Sequence, residues 1–136
     1  MLVSVKVQDY MTTNLITFSP ETDIFEAIDV LLQHRISGAP VTDTAGQLVG
    51  MFSESDCLKT LLKTGYYEGQ AIGGIVKDFM ATSVDVVDPE DDVIAVAEIF
   101  LKNRRRRLPV VDTGRLAGQI SRRDILRAMK DFAQKN

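Results

Sequence analysis

Apolar and polar positions along this chain follow two different periods, and the order in which those periods occur comes round twice. Leu15-Ile16-Thr17-Phe18 is a short apolar-rich run closed by Ser19-Pro20, which predicts a strand and a break. Behind it, Ile24, Ala27, Ile28, Leu31 and Leu32 carry the i, i+3, i+4, i+7, i+8 stripe of an amphipathic helix. Asp23 stands near the start of that helix, where exposed amides favour a carboxylate. Ala39-Pro40-Val41-Thr42 and Leu48–Phe52 read as two more strands. The Asp-Thr-Ala-Gly turn between them is short enough to make them antiparallel. A last helix begins at Ser53-Glu54-Ser55-Asp56, with Leu58, Leu61 and Leu62 on its apolar side.

The second round has the same order. Val84-Asp85-Val86-Val87 ends at Asp88-Pro89, and Asp92 precedes a stripe of Val93, Val96, Ala97, Phe100 and Leu101. Strands over Leu108-Pro109-Val110-Val111 and Leu116–Ile120 follow. The final helix starts at Ser121-Arg122-Arg123-Asp124 and carries Ile125, Leu126, Met129 and Phe132. At an offset of 69 residues Asp9-Tyr10-Met11-Thr12-Thr13 lands on Asp78-Phe79-Met80-Ala81-Thr82. Ala45 has no partner, and beyond it the offset is 68, so that Ser53 meets Ser121 and Asp56 meets Asp124. Ordered recurrence of this kind is the mark of a duplication.

The predicted fold class is therefore α/β (α+β), with two tandem β-α-β-β-α repeats. The first covers about residues 7–63 and the second about 75–133. Residues 64–74, with four glycines and two tyrosines, are the connector. One repeat of roughly 55 residues is marginal by itself, and both of its helices need cover for their stripes. The expectation is that the two copies pack around a pseudo-two-fold axis, leaving two related clefts.

Composition narrows the chemistry. The chain has 136 residues, 45% hydrophobic and 26% charged, enough for a core without disulfides or metal. A single cysteine, Cys57, excludes an internal disulfide and a Cys-rich zinc site, and a single histidine, His34, excludes a two-histidine metal site. His34 falls at a helix end and reads as a capping or solvent residue; Cys57 reads as a small apolar one. No apolar run approaches the roughly 20 residues of a membrane-spanning helix, and the start is too soon charged for a secretory signal. A soluble cytoplasmic protein is expected. There is no P-loop, no Gly-x-Ser-x-Gly elbow and no Cys/His pair motif, so an enzyme is not expected.

The net charge of −3 gives no global pull toward nucleic acid or an anionic membrane. Its distribution is uneven. Residues 1–63 carry 4 basic and 8 acidic side chains, residues 75–136 carry 12 and 10. The basic excess sits in Arg104–Arg107 and in Arg122-Arg123. Such runs are usually solvated faces, and arginines at a helix end complement its dipole. These two clusters nevertheless border the same predicted cleft. That favours polyphosphate over nucleic acid, since no stacking aromatics are interleaved with them.

A tandem β-α-β-β-α with Asp-x-Met near its start, Leu-Pro-Val-Val-Asp in its middle and Ser-x-x-Asp at its end resembles a CBS-domain pair, from the cystathionine beta-synthase domain family. The likeness runs from about Val7 to Phe132 and is closer in the second copy, over Arg107–Asp112 and Leu116–Leu126. It implies a free-standing regulatory module, without catalytic residues or a required cofactor. Its clefts would take an adenosine-containing ligand: AMP, ADP, ATP or S-adenosylmethionine. It also implies a homodimer and a regulated partner protein. By the same resemblance Ser53 and Ser121 approach phosphates, while Asp56 and Asp124 hold a ribose. Gly38, Ala39 and Pro40, with Arg107, Leu108 and Pro109, line the adenine and phosphate side. The charge clusters, apart from the resemblance, lead to the expectation that at least Arg107 and one of Arg122 or Arg123 meet phosphate. Family members often carry Gly four residues before this Pro, where Ile36 and Arg105 stand here.

Two rival readings accompany these. Ser-x-x-Asp is also the signature of a helix N-cap, in which Ser accepts from an amide and the acid favours the dipole. The whole chain could also be a ligand-free interaction or dimerisation scaffold. The charge asymmetry predicts that the two clefts are unequal, with the one on Ser121 and Asp124 favouring phosphorylated ligands.

Overall fold

A computed structural model describes residues 4–63 and 73–135; most of the connector, residues 64–72, lies outside the described residues. In chain order the elements are α1 (Ile24–His34), β1 (Gly38–Thr42), β2 (Leu48–Ser53), α2 (Glu54–Lys63), α3 (Val93–Asn103), β3 (Arg107–Asp112), β4 (Arg115–Ser121) and α4 (Arg122–Lys135). Single 3-10 turns stand at Val7–Asp9 and Val76–Asp78. No helix among the described residues is long and apolar enough to cross a membrane.

The helix starts follow from their caps. Asp23 accepts hydrogen bonds from the amides of Phe25 and Glu26 at 3.0 and 3.3 Å, and Asp92 accepts from Ile94 at 2.7 Å. Both helices end in a left-handed residue, Arg35 and Arg104, with φ of 52° and 54°. The chain is turned there without the glycine that usually takes this conformation. Buried Ile24, Ala27 and Leu31 in α1, and Val93, Val96 and Phe100 in α3, form the inward stripes. Leu32 and Leu101, expected to complete those stripes, are 71% and 74% exposed instead. The buried arc is narrower than the sequence pattern predicts.

Each strand pair is antiparallel. Gly38 faces Ser53 and Pro40 faces Met51; Arg107 faces Ser121 and Pro109 faces Gln119. The expected leading strands at 15–18 and 84–87 are reduced to one bridge each, Phe18 to Val41 and Val87 to Val110, both parallel. The amide of Phe18 donates to the Pro40 carbonyl and Thr42 donates back to Phe18, at 3.0 and 2.9 Å. Proline explains the brevity. Pro40 and Pro109 have no amide to extend the ladder, and Pro20 and Pro89 close each segment.

The compact units do not coincide with the repeats. One spans Ile16–Val84; the other joins the chain up to Leu15 with the chain from Asp85 onward. Each unit thus takes its leading segment from the neighbouring copy of the sequence. In the first unit Val76 and Lys77 donate to the carbonyls of Thr22 and Pro20, each at 2.9 Å, and Met51 exchanges backbone hydrogen bonds with Ala81. In the second, Val7 and Gln8 donate to Asp91 and Pro89, each at 2.9 Å, and Thr12 exchanges with Gln119. Val76 and Val7 are fully buried in their respective cores. Glycine makes the docking possible. A Cβ on Gly50 would lie 2.7 Å from Met80 Sδ and 2.8 Å from the Ala81 carbonyl. Gly118 has the same relation to Met11 and Thr12, at 2.7 and 2.8 Å.

Candidate functional site

The antiparallel register brings both halves of the candidate site to one end of each hairpin. Gly38, at the start of β1, lies opposite Ser53 at the end of β2, and the amide of Glu54 donates to the Ser37 carbonyl at 2.8 Å. In the second unit Arg107 lies opposite Ser121, and the amide of Arg122 donates to the Arg106 carbonyl at 3.1 Å. The strand start and the helix start are therefore adjacent in both units, as the candidate roles require.

Each Ser-x-x-Asp closes on itself. Asp56 Oδ2 accepts from the Ser53 amide at 3.0 Å and the Ser53 hydroxyl at 2.9 Å; the Asp56 amide donates to Ser53 Oγ at 3.3 Å. Asp124 Oδ2 accepts from the Ser121 amide at 2.7 Å and its hydroxyl at 3.0 Å, and the Asp124 amide returns to Ser121 Oγ at 3.3 Å. This is a reciprocal capping box. The rival structural reading of the motif is thus realised in both copies, and the same geometry presents a hydroxyl and a carboxylate beside the start of each second helix.

Beyond the box the copies diverge. Arg127 Nη2 donates to Asp124 Oδ1 and, at 3.0 Å, to the Tyr10 carbonyl. Asp124 is only 5% exposed, whereas Asp56 is half-buried. No hydrogen bond or ion pair among the described residues engages Asp56 Oδ1. Sequence reasoning missed Arg127. Its signal was the i, i+3 spacing from Asp124 along one helix face.

The arginines separate by use. Arg122 Nε donates to the Arg105 carbonyl at 2.8 Å and Nη2 to the Phe100 carbonyl at 3.3 Å, so this guanidinium caps the end of α3. Arg105 pairs with Asp85 at 3.1 Å. The side chains of Arg107 and Arg123 form no hydrogen bond or ion pair among the described residues, and Arg123 is exposed. The strand residues offer backbone more than side chain: Ala39, Pro40, Leu108 and Pro109 are buried in the unit cores. Gly38 is required by packing, since a Cβ there would sit 2.9 Å from the Phe52 carbonyl.

Of the remaining candidates, His34 ends α1 exposed, and Arg35 rather than His34 supplies the cap. Cys57 is half-buried, and burial together with the carboxylates of Asp56 and Glu54 pushes its thiol above the ordinary value, away from nucleophilic use. A cavity of about 620 Å³ opens between α1 and α2, lined by Ile28, Leu31, Leu32, Ile36, Cys57 and Leu58 among others. No group of three metal-binding side chains occurs among the described residues.

The CBS domain family profile matches residues 7–63 and 76–131. An uncharacterised protein of Methanocaldococcus jannaschii is 30% identical, with 90% of each chain covered. The chain spans 42% of another protein from that archaeon and 24% of two inosine-5'-monophosphate dehydrogenases, from Aquifex aeolicus and Methanocaldococcus jannaschii. The crystal structure of CBSX2 in complex with AMP superposes with a TM-score of 0.83 at 31% identity, covering 96% of this chain and 99% of that one. The CBS domain pair of protein MJ0100, crystallised with 5'-methylthioadenosine and S-adenosyl-L-methionine, gives 0.74 at 27% identity, covering 91% and 98%.

Proposed function

The chain belongs to the CBS domain family, and from that premise we propose that it is a non-catalytic regulatory module that binds an adenosine-containing ligand and passes its occupancy to a partner protein. The observation that carries this reading is the paired placement of Ser53 with Asp56 and of Ser121 with Asp124 at equivalent hairpin ends, in a fold shared with a chain crystallised with AMP. One carboxylate can accept both hydroxyls of a ribose, and a hydroxyl with free amides at a helix start suits a phosphate. Gly38 and the backbone of Ala39, Pro40, Leu108 and Pro109 flank that position. Arg107 and Arg123 supply charge for phosphate oxygens, a stronger hydrogen bond than a neutral donor gives. AMP, ADP, ATP and S-adenosylmethionine are the ligands to test. At about 100 times its dissociation constant a ligand adds roughly 2.7 kcal/mol, which should raise the melting temperature by roughly 5–15 °C. A flat melting temperature with all four at millimolar concentration would sink the reading.

A second reading concerns self-association. Leu32 at 71% and Leu58 at 60% are exposed beside the α1–α2 cavity, Leu62 at 69% is exposed further along α2, and α4 exposes Leu126 and Met129 at 62% and 57%. Apolar helix faces of this kind mark association surfaces, and a homodimer is the simplest way to cover them. Light scattering at tens of micromolar should give twice the chain mass of 15.1 kDa; a monomer mass overturns it.

A further inference from the structure

Resting on the ligand reading above, we propose that Arg127 is a built-in competitor for Asp124, so that the copy with Asp56 is open to a ribose while the copy with Asp124 must first release a guanidinium. Holding a vicinal diol on one carboxylate takes two of its roughly four acceptor positions. In both copies Oδ2 is already filled twice, by the serine amide and hydroxyl. What distinguishes them is Oδ1. In Asp56 it has no partner among the described residues; in Asp124 it is held by Arg127.

The position equivalent to Arg127 is Lys59, also basic and also exposed, yet it makes no ion pair with Asp56. The difference follows from side-chain chemistry. A guanidinium carries several donors in a fixed fork and can serve two acceptors at once, here the carboxylate and the Tyr10 carbonyl. The Tyr10 carbonyl belongs to the leading segment docked on this unit, so it fixes the arginine over Asp124. Charge alone favours the second copy for phosphate. The commitment of Asp124 opposes it for ribose.

The test is AMP titration by calorimetry on the wild type and on Asp56→Ala, Arg127→Met and Asp56→Ala/Arg127→Met, with Arg127→Lys as the conservative control. Methionine keeps most of the arginine's apolar length without the donors. The wild-type binding event should weaken at least tenfold in Asp56→Ala. Arg127→Met should strengthen binding at the second copy by about tenfold, so that the double variant binds AMP again, and Arg127→Lys should fall between. Unchanged or weaker second-copy binding in Arg127→Met, in a protein that melts cooperatively, overturns the proposal. So does an Asp56→Ala variant that binds like the wild type. If no variant binds AMP, the ligand reading fails, and the lock is judged by a folding cycle between Arg127→Met and Asp124→Asn. Coupling of about tenfold in the folding constant upholds the lock; additive effects overturn it.

Discussion

The unit around α1 and β2 and the unit around α3 and β4 share nearly every backbone device and differ in what their side chains do. Both cap the first helix with Asp, end it on a left-handed arginine, and attach the leading residue to the central strand by a 3.0 Å hydrogen bond to a proline carbonyl. Their aromatic pairs, however, sit in different places. Phe18 and Phe52 meet edge-to-face at 5.5 Å inside the first unit, where the second has Val87 and Ile120. The second unit places its pair at Tyr10 and Phe132, 6.5 Å apart and again near perpendicular, between the leading segment and α4. After duplication, backbone geometry constrains both copies alike, because a misplaced cap or clash costs the whole ladder. Side chains can drift as long as volume is conserved. The drift matters most at Asp124, whose free oxygen became a structural partner of Arg127.

The largest test of this contrast is in the cores. Phe52→Ala removes a fully buried ring and its edge-to-face contact with Phe18, and should cost about 3–5 kcal/mol in urea unfolding. Ile120→Ala, at the matching position, should cost about 2–3 kcal/mol, because no aromatic pair is lost. Equal losses would break the comparison.

Next come the positions where the units should behave alike. Gly50→Ala and Gly118→Ala each push a Cβ against a carbonyl 2.8 Å away and a methionine sulfur 2.7 Å away. The methionine can move; the carbonyl belongs to the bridge that docks the leading segment. Each substitution should cost about 1–3 kcal/mol, and the two costs should agree closely. A marked difference would mean that one leading segment docks less firmly than its backbone hydrogen bonds indicate.

Legibility in the sequence follows the same division. The caps, the paired strands, the duplication and the Ser-x-x-Asp boxes could all be read, because each rests on local spacing. The exchange of leading segments could not. Val7 and Val76 look identical in periodicity whichever copy they pack against, and only the tertiary ladder decides. The first strands are shorter than their apolar runs predict, because such a run does not reveal that its neighbour lacks an amide. In the site, Asp56 and Asp124 looked equivalent by alignment. The Tyr10 carbonyl, more than a hundred residues from Arg127, is what separates them.

A smaller effect sharpens the contrast between the boxes. Asp124→Ala leaves the Ser121 amide and the Arg127 guanidinium without their carboxylate, and should cost about 1–3 kcal/mol of folding stability. Asp56→Ala loses the box alone, at about 0.5–2 kcal/mol. A larger loss at Asp56 would show that the Arg127 pair is screened to nothing, as exposed pairs often are.

The smallest effect is the pH dependence that Tyr10 brings to the second unit. Tyr10 is buried at the junction of the leading segment with α4, its hydroxyl within 3.3 Å of Asp131 Oδ2 and 3.2 Å of the Ser4 carbonyl. Burial, and then the Asp131 charge, raise its phenol above the ordinary value. A proton held more tightly in the folded chain stabilises it fully below the unfolded value, near 10. That contribution is lost as the pH rises through the raised folded value. Lys6 and Cys57 are raised too and act in the same direction, so the wild type alone cannot isolate Tyr10. The difference between wild type and Tyr10→Phe can. Phenylalanine already stands at the matching position, Phe79, and should keep the ring packing with Phe132. Near neutral pH the variant should be less stable by about 1 kcal/mol, the value of the lost hydrogen bonds. As the pH rises past about 10 and through the raised folded value, that gap should close as the wild type loses its proton-linked stability. A gap that stays constant across this range would place Tyr10 outside the titration and leave the hydroxyl with no electrostatic role.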